Sequence, residues 1–152
     1  QDLGKKIRDL KGAGASGGLG GGMVAVLNAK LRIGVNIVID VTRLKEKLQG
    51  VELVVTGEGA FDRQTFFGKS AFGVANLAKK SNIPVITING SVLFERGDMT
   101  RENSDLFAGN FSIINRPMEL NDAMENAGEL LFNSAKEFMN FYLKIIRQKK
   151  QP

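Results

Sequence analysis

The sequence contains no cysteine and no histidine, and these two absences exclude several classes of enzyme chemistry. Without cysteine there is no disulfide, no thiolate zinc site and no thiol nucleophile. Without histidine there is no Ser–His–Asp triad, no imidazole metal ligand and no imidazole acid–base catalyst. Catalysis would therefore depend on carboxylates, lysine, arginine, hydroxyls, backbone amides or a metal held by carboxylates. That set favours phosphoryl transfer, in which positioning and charge neutralisation supply most of the catalysis.

Long apolar segments are missing as well. Because no stretch of about 18 apolar residues occurs, the sequence predicts no transmembrane helix, and we expect no membrane partner. The first residues lack the apolar core of a secretion signal, and the absence of cysteine suits a reducing compartment. We therefore expect a cytoplasmic protein. The sequence begins with Gln1 rather than methionine, which favours a piece of a longer chain.

Aromatic residues are few, with no tryptophan and one tyrosine, and the net charge is only +5. No stripe of alternating basic and aromatic residues indicates a surface for stacking bases, so we expect no nucleic-acid partner. Much of the positive charge lies in the last nine residues, where cations suit the negative end of a helix dipole. Those cations are Lys144, Arg147, Lys149 and Lys150.

The pattern of apolar residues predicts an α/β fold with a parallel sheet flanked by helices. The clearest unit is strand–loop–helix–strand over residues 51–89, which implies parallel strands and a right-handed crossover. Other predicted strands cover residues 35–40 and 111–115. The predicted helices cover residues 5–11, 23–31, 43–49, 70–80 and 121–147. The apolar stripe of the last helix either packs on the sheet, which is the commoner arrangement, or forms a partner-binding face.

Glycine is abundant, at 18 of 152 residues, and it clusters in residues 12–22, which we call the glycine segment. Gly14, Gly17 and Gly18 precede a predicted helix, where backbone N–H groups can bind an anion at the positive helix end. Tight packing of the helix against a neighbour explains these glycines equally well. The segment also matches G-x-G-x-x-G, the fingerprint of nicotinamide-dependent oxidoreductases. That fingerprint must follow an apolar strand, whereas residues 5–11 are polar.

The most informative segment is residues 56–69, which we call the acidic loop. It follows the carboxyl end of one predicted strand, and Gly90 follows the carboxyl end of the next, at the edge where open parallel sheets bind ligands. Glu58 and Asp62 could hold Mg²⁺, which prefers one or two carboxylates plus substrate phosphates. Arg63 and Lys69 would offset phosphate charge, and three glycines would permit close backbone approach. These glycines are Gly57, Gly59 and Gly90. An ordinary solvated loop is the alternative.

Taken together, these segments resemble the bacterial type-I glycerate kinase family. The resemblance rests on GAGASGGLG at residues 12–20, TGEGAFDRQT at residues 56–65 and the Gly-Lys pair at residues 68–69. It continues through residues 73–75, 78–79, 84–86 and 90, and the order and spacing hold over residues 12–91. Members of that family transfer the γ-phosphoryl group of ATP to a hydroxyl of D-glycerate with Mg²⁺. Their fold has two α/β domains, one Rossmann-like and one inserted.

The resemblance implies a site and a domain arrangement for this chain. Glu58, Asp62 and Lys69 would be catalytic, Glu58 or Asp62 acting on the metal or the hydroxyl. Gln64 and Thr65 would join the glycines as substrate or phosphate contacts. Residues 1–49 would be the end of the inserted domain, and residues 50–152 the Rossmann-like part with its long terminal helix.

Family members are more than twice as long, so we expect this chain to be the C-terminal portion of such a kinase. We also expect either self-association or association with the missing N-terminal portion. Two other classes stay open at this point. One is a non-catalytic remnant that binds an anion or a protein partner, and the other is a nicotinamide-dependent oxidoreductase.

Overall fold

The computed structural model describes residues 6–93 and 105–149, and the chain divides into two compact units, Gln1–Val38 and Ile39–Pro152. This division lies ahead of the domain boundary expected at residues 49–50, which stays a prediction. Lys150, one of the tail cations, lies outside the described residues.

The first unit contains turns over residues 8–18, followed by helix α1 (Leu19–Leu27). The polar helix expected over residues 5–11 is wrong for the described residues, which form turns from residue 8. Over residues 6–11, no strand precedes the fingerprint of nicotinamide-dependent enzymes, which requires one. Helix α1 begins earlier than expected because the glycine segment folds back on the helix start, where the Gly21 N–H donates to the Ala13 carbonyl at 2.9 Å. The helix ends at Leu27, short of the expected end at Leu31, because its C-cap Asn28 adopts a left-handed conformation.

The strand expected over residues 35–40 is wrong, because these residues lie in helix α2 (Gly34–Val41). β-Branched residues favour a strand only where a neighbouring strand and a packed face receive them. Within the described residues no strand pairs with this run, and none of its residues is buried. Val35 and Ile39, four residues apart and half-buried, instead share one side of a helix.

The second unit is an α/β fold, as the sequence predicts. Helix α3 (Leu44–Lys47) precedes strand β1 (Val54–Thr56), strand β2 (Ala60–Phe61) and a 3₁₀ turn (Arg63–Phe67). Helix α4 (Ser70–Lys79) leads to strands β3 (Val85–Asn89) and β4 (Ser91–Val92), and strand β5 (Gly109–Ser112) follows. The last two helices are α5 (Leu120–Glu125) and α6 (Ala127–Lys149).

Strands β1, β3 and β5 form a parallel three-stranded sheet with β3 in the centre. All five residues of β3 are buried, because the strand is paired on both sides and covered on both faces. Val85 packs with α4 on one face, where Ala71, Ala75 and Ala78 are fully buried. Its neighbour Ile86 packs on the opposite face with Leu130 of α6. Helices therefore flank the sheet, and the crossover from β1 to β3 through α4 is confirmed.

A second, two-stranded parallel sheet of β2 and β4 continues from the carboxyl ends of β1 and β3. The two sheets are joined by glycines at points where the backbones touch. A Cβ on Gly57 would lie 2.0 Å from the Ile88 carbonyl oxygen, and one on Gly90 would lie 2.4 Å from the Gly59 oxygen. Glycine at these two positions is therefore required by the chain's own packing.

The long helix expected over residues 121–147 is interrupted at Asn126, which separates α5 from α6. The Asn126 side chain donates to the Asp122 carbonyl at 2.8 Å, the kind of local bond by which asparagine competes with helix continuation. Part of the apolar stripe packs on the sheet through Leu130 and Phe138, while Leu131 is 47% exposed. Within the described residues, no helix is long and apolar enough to span a bilayer.

Candidate active site

The acidic loop is folded around the Asp62 carboxylate. Asp62 Oδ1 accepts hydrogen bonds from the backbone N–H groups of Gln64 at 2.8 Å and Thr65 at 3.2 Å. The Asp62 N–H in turn donates to Thr65 Oγ1 at 3.2 Å, which completes a capping box at the start of the 3₁₀ turn. An edge-to-face contact between Phe61 and Phe66, with ring centroids 5.9 Å apart, packs the turn against the core. The loop is thus rigidly positioned rather than freely solvated.

Glu58 lies at the carboxyl end of β1, and its carboxylate is held by groups of the chain. Glu58 Oε1 accepts the Ala71 N–H at 3.3 Å, so the carboxylate caps the N-terminus of α4. Glu58 Oε2 accepts the Thr65 hydroxyl, also at 3.3 Å. The Glu58 side chain is only 12% exposed, and Thr65 is completely buried. Thr65 therefore links the two carboxylates.

Lys69 lies across both carboxylates. Its Nζ is 3.0 Å from Asp62 Oδ1 and 3.5 Å from Glu58 Oε2. The hydrogen bond from Lys69 is the largest cause of the lowered pKa of Asp62; burial opposes it, and the charge of Lys69 and two backbone hydrogen bonds lower the pKa further. The same hydrogen bond, with the charges of both carboxylates, raises the pKa of Lys69. The Lys69 side chain remains 35% exposed, so a charged ligand can reach it.

A buried amide fixes the acidic loop to the sheet, and no role for it was expected from the sequence. Asn89 is 1% exposed and ends β3. Its Oδ1 accepts the Glu58 N–H at 3.1 Å, and its Nδ2 donates to Thr87 Oγ1 at 2.7 Å and to the Phe111 carbonyl at 3.2 Å. Asn89 thereby ties the ends of β3 and β5 to the residue that carries the Glu58 carboxylate. The available signal was an asparagine at the last position of a predicted strand.

The other expected site residues differ in their surroundings. Gln64 contributes its backbone N–H to Asp62 and has an exposed side chain. Gly59 borders open space, in contrast to Gly57 and Gly90, whose neighbours are backbone atoms. The glycines of the first unit lie in the turns before α1, where an added Cβ would meet nothing within 4 Å, and their anion contact stays a prediction. These are Gly14, Gly17 and Gly18.

A cleft of about 800 Å³ adjoins this cluster, and we call it the sheet-end cleft. One wall is formed by residues 55–59 and 88–90 at the carboxyl ends of β1 and β3, together with Ile113. The other wall belongs to α6 and consists of small or apolar side chains. Glu58 lines the cleft and also contacts Lys69, so the cleft and the charged cluster share this residue, whereas Lys69 and Asp62 do not line the cleft. The lining residues of α6 are Ala127, Gly128, Leu131 and Ala135.

The fold and this site define an α/β protein with a charged cluster and a cleft at the carboxyl edge of a parallel sheet. A family model described as the glycerate kinase family matches residues 1–143. The chain is 39% identical over 142 residues to a glycerate kinase of Halalkalibacterium halodurans, an alignment covering 90% of this chain and 35% of that protein. It is 39% identical over 121 residues to a glycerate 2-kinase of Escherichia coli K12, covering 80% and 31%.

A solved structure agrees with these sequence relatives. The crystal structure of a protein described as glycerate kinase 2 from Salmonella typhimurium LT2 superimposes with a TM-score of 0.65 at 39% identity. The match covers 90% of this chain and 34% of that one. The chain therefore belongs to the glycerate kinase family, as the resemblance predicted. It spans about a third of the length of the curated relatives that it matches.

Proposed function

We propose that this chain carries residues that transfer the γ-phosphoryl group of ATP to a hydroxyl of D-glycerate. The observation that supports this most directly is Lys69, a partly exposed cation shared by two carboxylates at the ligand-binding edge of the sheet. A phosphoryl group needs charge neutralisation and in-line positioning more than it needs covalent chemistry. The cluster offers a cation for the first requirement and rigidly positioned carboxylates for the second. Cytoplasmic location and self-association stay predictions from the sequence.

Lys69 is proposed to bind the transferred phosphoryl group. Its raised pKa keeps the ammonium group charged at neutral pH, and its exposure lets phosphate oxygens compete with the carboxylates. In the transfer, a bond forms between the glycerate hydroxyl oxygen and the γ-phosphorus, and the bond from that phosphorus to the β–γ bridging oxygen breaks. ADP leaves with the electron pair of the broken bond. Lys69 offsets the negative charge on the phosphoryl oxygens throughout.

Asp62 and Glu58 are proposed to have different roles, because their oxygens have different partners. Asp62 Oδ1 receives two backbone N–H groups and Lys69, whereas the described residues donate no hydrogen bond to Oδ2. Asp62 therefore has an oxygen for a ligand, and it would accept the proton of the glycerate hydroxyl. Both oxygens of Glu58 are engaged by the chain itself. Glu58 would then be a positioning residue that orients Lys69 and the start of α4.

The donor set allows one carboxylate ligand for Mg²⁺. Among residues 6–93 and 105–149, no group of three or more acidic side chains could enclose a metal ion. Mg²⁺ in phosphotransferases is often held by one or two carboxylates plus the phosphates themselves, and Asp62 could supply one of them through Oδ2 as the alternative to accepting the hydroxyl proton there. Both oxygens of Glu58, the second ligand expected from the sequence, already accept hydrogen bonds from the chain, so a metal would share these oxygens with the Thr65 hydroxyl and the Ala71 N–H. When bound, Mg²⁺ would neutralise charge on the phosphates.

The test is D-glycerate-dependent formation of ADP from Mg-ATP by the purified chain, with phosphoglycerate identified as the second product. Lys69→Met and Asp62→Asn should each lower turnover by about 10²-fold or more, since each removes a group that acts in the transition state. Glu58→Gln keeps an acceptor for the Ala71 N–H and should have a smaller effect.

Matched controls come from exposed charges in the second unit. Lys45→Met on α3 and Glu52→Gln just before β1 make the same chemical changes away from the cluster and should leave turnover unchanged. Equal turnover of Lys69→Met and Lys45→Met would contradict the proposed role of Lys69. Absence of glycerate-dependent ADP from the parent chain would contradict catalysis by this chain and favour a non-catalytic binding function.

A further inference from the structure

The sheet-end cleft is chemically unlike the charged cluster beside it. Its lining includes the apolar side chains of Val55, Ile88, Ile113 and Leu131, and Leu131 and Val55 are close to half exposed. Its polar boundary is the loop that contains Glu58. A volume of about 800 Å³ lies in the range of sites for drug-sized organic ligands. The cleft is thus apolar along its walls and charged at one end.

Of the two proposed substrates, only one has the surface that such a cleft would bury. D-glycerate is a small, fully polar carboxylate, and burying it against apolar walls would leave its hydroxyls without partners. A nucleoside has two flat, largely apolar faces on its base and a polar end that carries the phosphates. Placed with its base between the sheet ends and α6, it would direct the phosphates along Glu58 toward Lys69.

Gly128 gives an independent reason to expect a ligand in this cleft. It is the second residue of α6 and lies in the first turn of the helix. A Cβ at Gly128 would meet no atom within 4 Å, and its φ lies in the ordinary range. Neither packing nor backbone conformation therefore requires glycine. What the glycine does provide is space in the cleft, because Gly128 lines it.

We propose that the sheet-end cleft binds the nucleoside of the phosphoryl donor, with its base against Leu131 and Gly128 of α6. This inference rests on the proposed function for the identity of the donor as a nucleotide. It assigns the two ends of the donor to different surfaces: the nucleoside binds between the sheet and α6, and the phosphoryl group binds at Lys69.

The test separates the two ends of the donor by using two probes, adenosine and inorganic tripolyphosphate. Amide NMR titrations of the ¹⁵N-labelled chain should show adenosine shifting the amides of Ile88, Gly128 and Leu131. Gly128→Leu should fold with an equal or higher Tm, because it adds a good helix former into open space. The same variant should bind adenosine at least tenfold more weakly. Leu131→Gln removes the apolar wall without adding charge and should weaken adenosine as well. Neither variant should change the affinity for tripolyphosphate.

Two controls complete the design. Asn140→Leu adds a leucine at an exposed position of α6 outside the cleft and should leave adenosine binding intact. Lys69→Met should weaken the binding of tripolyphosphate and leave the affinity for adenosine unchanged. Equal adenosine affinity in the parent and in both cleft variants would overturn the proposal. So would a lack of adenosine binding by the parent up to its solubility limit.

The outcomes distinguish this inference from the proposed function. Adenosine bound in the cleft, with no tripolyphosphate binding and no glycerate-dependent ADP, would support the nucleoside site and contradict the kinase proposal. A second outcome is tripolyphosphate binding at Lys69 and glycerate-dependent ADP, with adenosine bound outside the cleft. That outcome would support the kinase proposal and contradict the nucleoside site.

Discussion

The glycine segment and the acidic loop look alike in the sequence and differ in the structure. Both contain several glycines ahead of a helix. The glycine segment was expected to bind an anion through backbone N–H groups, and the acidic loop was expected to bind phosphate through Arg63 and Lys69. In the glycine segment, residues 14, 17 and 18 border open space, and the turns there are largely exposed. At the acidic loop, Gly57 and Gly90, which follows β3, allow contact between backbones, and buried polar side chains arrange three charges.

The difference shows that glycine content alone does not define a binding site. Glycine removes a steric barrier, but a ligand is bound by donors and charges held in place. The acidic loop holds them through Thr65, which joins two carboxylates, and Asn89, which fixes the Glu58 backbone to the sheet. A buried polar network of this kind costs free energy when any member is lost, so its members should respond sharply to substitution.

The largest expected effect on stability distinguishes glycines that touch backbone atoms from glycines that border open space. Gly57→Ala should destabilise the second unit by about 3–5 kcal/mol, because the new Cβ would overlap the Ile88 carbonyl oxygen and both partners are backbone. Gly14→Ala and Gly59→Ala, whose Cβ atoms meet nothing within 4 Å, should change stability by less than about 0.5 kcal/mol. Urea unfolding followed by circular dichroism measures all three. If Gly57→Ala were as stable as Gly59→Ala, the packing around Gly57 would not require glycine.

A smaller effect is expected from the buried amide. Asn89→Ala leaves the Glu58 N–H and the Phe111 carbonyl without their partner and should cost about 2–4 kcal/mol. Amide exchange of Glu58 should accelerate more than that of residues on α4. Asn76→Ala, which removes an exposed side-chain bond to the Phe72 carbonyl, is the control and should cost less than about 0.5 kcal/mol. An unchanged exchange rate at Glu58 would show that Asn89 does not hold the loop.

The smallest effect concerns the ion pair between Lys69 and Asp62. Asp62, with a lowered pKa, stabilises the fold above its ordinary pKa of 3.8, and this contribution is lost as pH falls through the lowered value. Lys69, with a raised pKa, stabilises it below the ordinary 10.5, and this contribution is lost as pH rises through the raised value. The parent should therefore exceed Lys69→Met in stability mainly between about pH 5 and pH 9. Because both groups are partly exposed, the difference should be small.

The same pair can be followed directly by carboxyl NMR titration. Asp62 should titrate below 3.8 in the parent and move upward in Lys69→Met, whereas Lys45→Met should leave it unchanged. An Asp62 that titrates at the same pH in all three chains would show that Lys69 does not contact it in solution.

The parts of the fold that were predictable are those in which every local signal agrees. Strand β3 is rich in β-branched residues and is the central, fully buried strand, and α4 follows a helical repeat of small apolar residues. Residues 35–40 carry the same β-branched residues as β3 but form a helix, because strand formation depends on a partner that the local sequence does not reveal. Strands β2 and β4 have two residues each, too few for a pattern to predict.

The candidate site was predictable in its residue types and its position, but not in its hydrogen bonds. Carboxylates and a lysine after a buried strand indicated the edge of the sheet. The bond from the Ala71 N–H to Glu58 spans 13 residues, and the bond from the Glu58 N–H to Asn89 spans 31. Such contacts are set by the packing of β1, β3 and α4, so the sequence could not show that Glu58 caps a helix while Asp62 keeps an oxygen for a ligand.

The three fully buried alanines of α4 determine how closely that helix lies against the sheet, and so they determine where its first N–H groups stand. Ala71, Ala75 and Ala78 have no reactive atoms, yet the Ala71 N–H holds Glu58, and through Glu58 the position of Lys69. A larger side chain at Ala75, one helical turn beyond Ala71, would move the helix outward and shift the charged cluster with it. The positions of the charged groups thus depend on small core residues that do not contact a substrate.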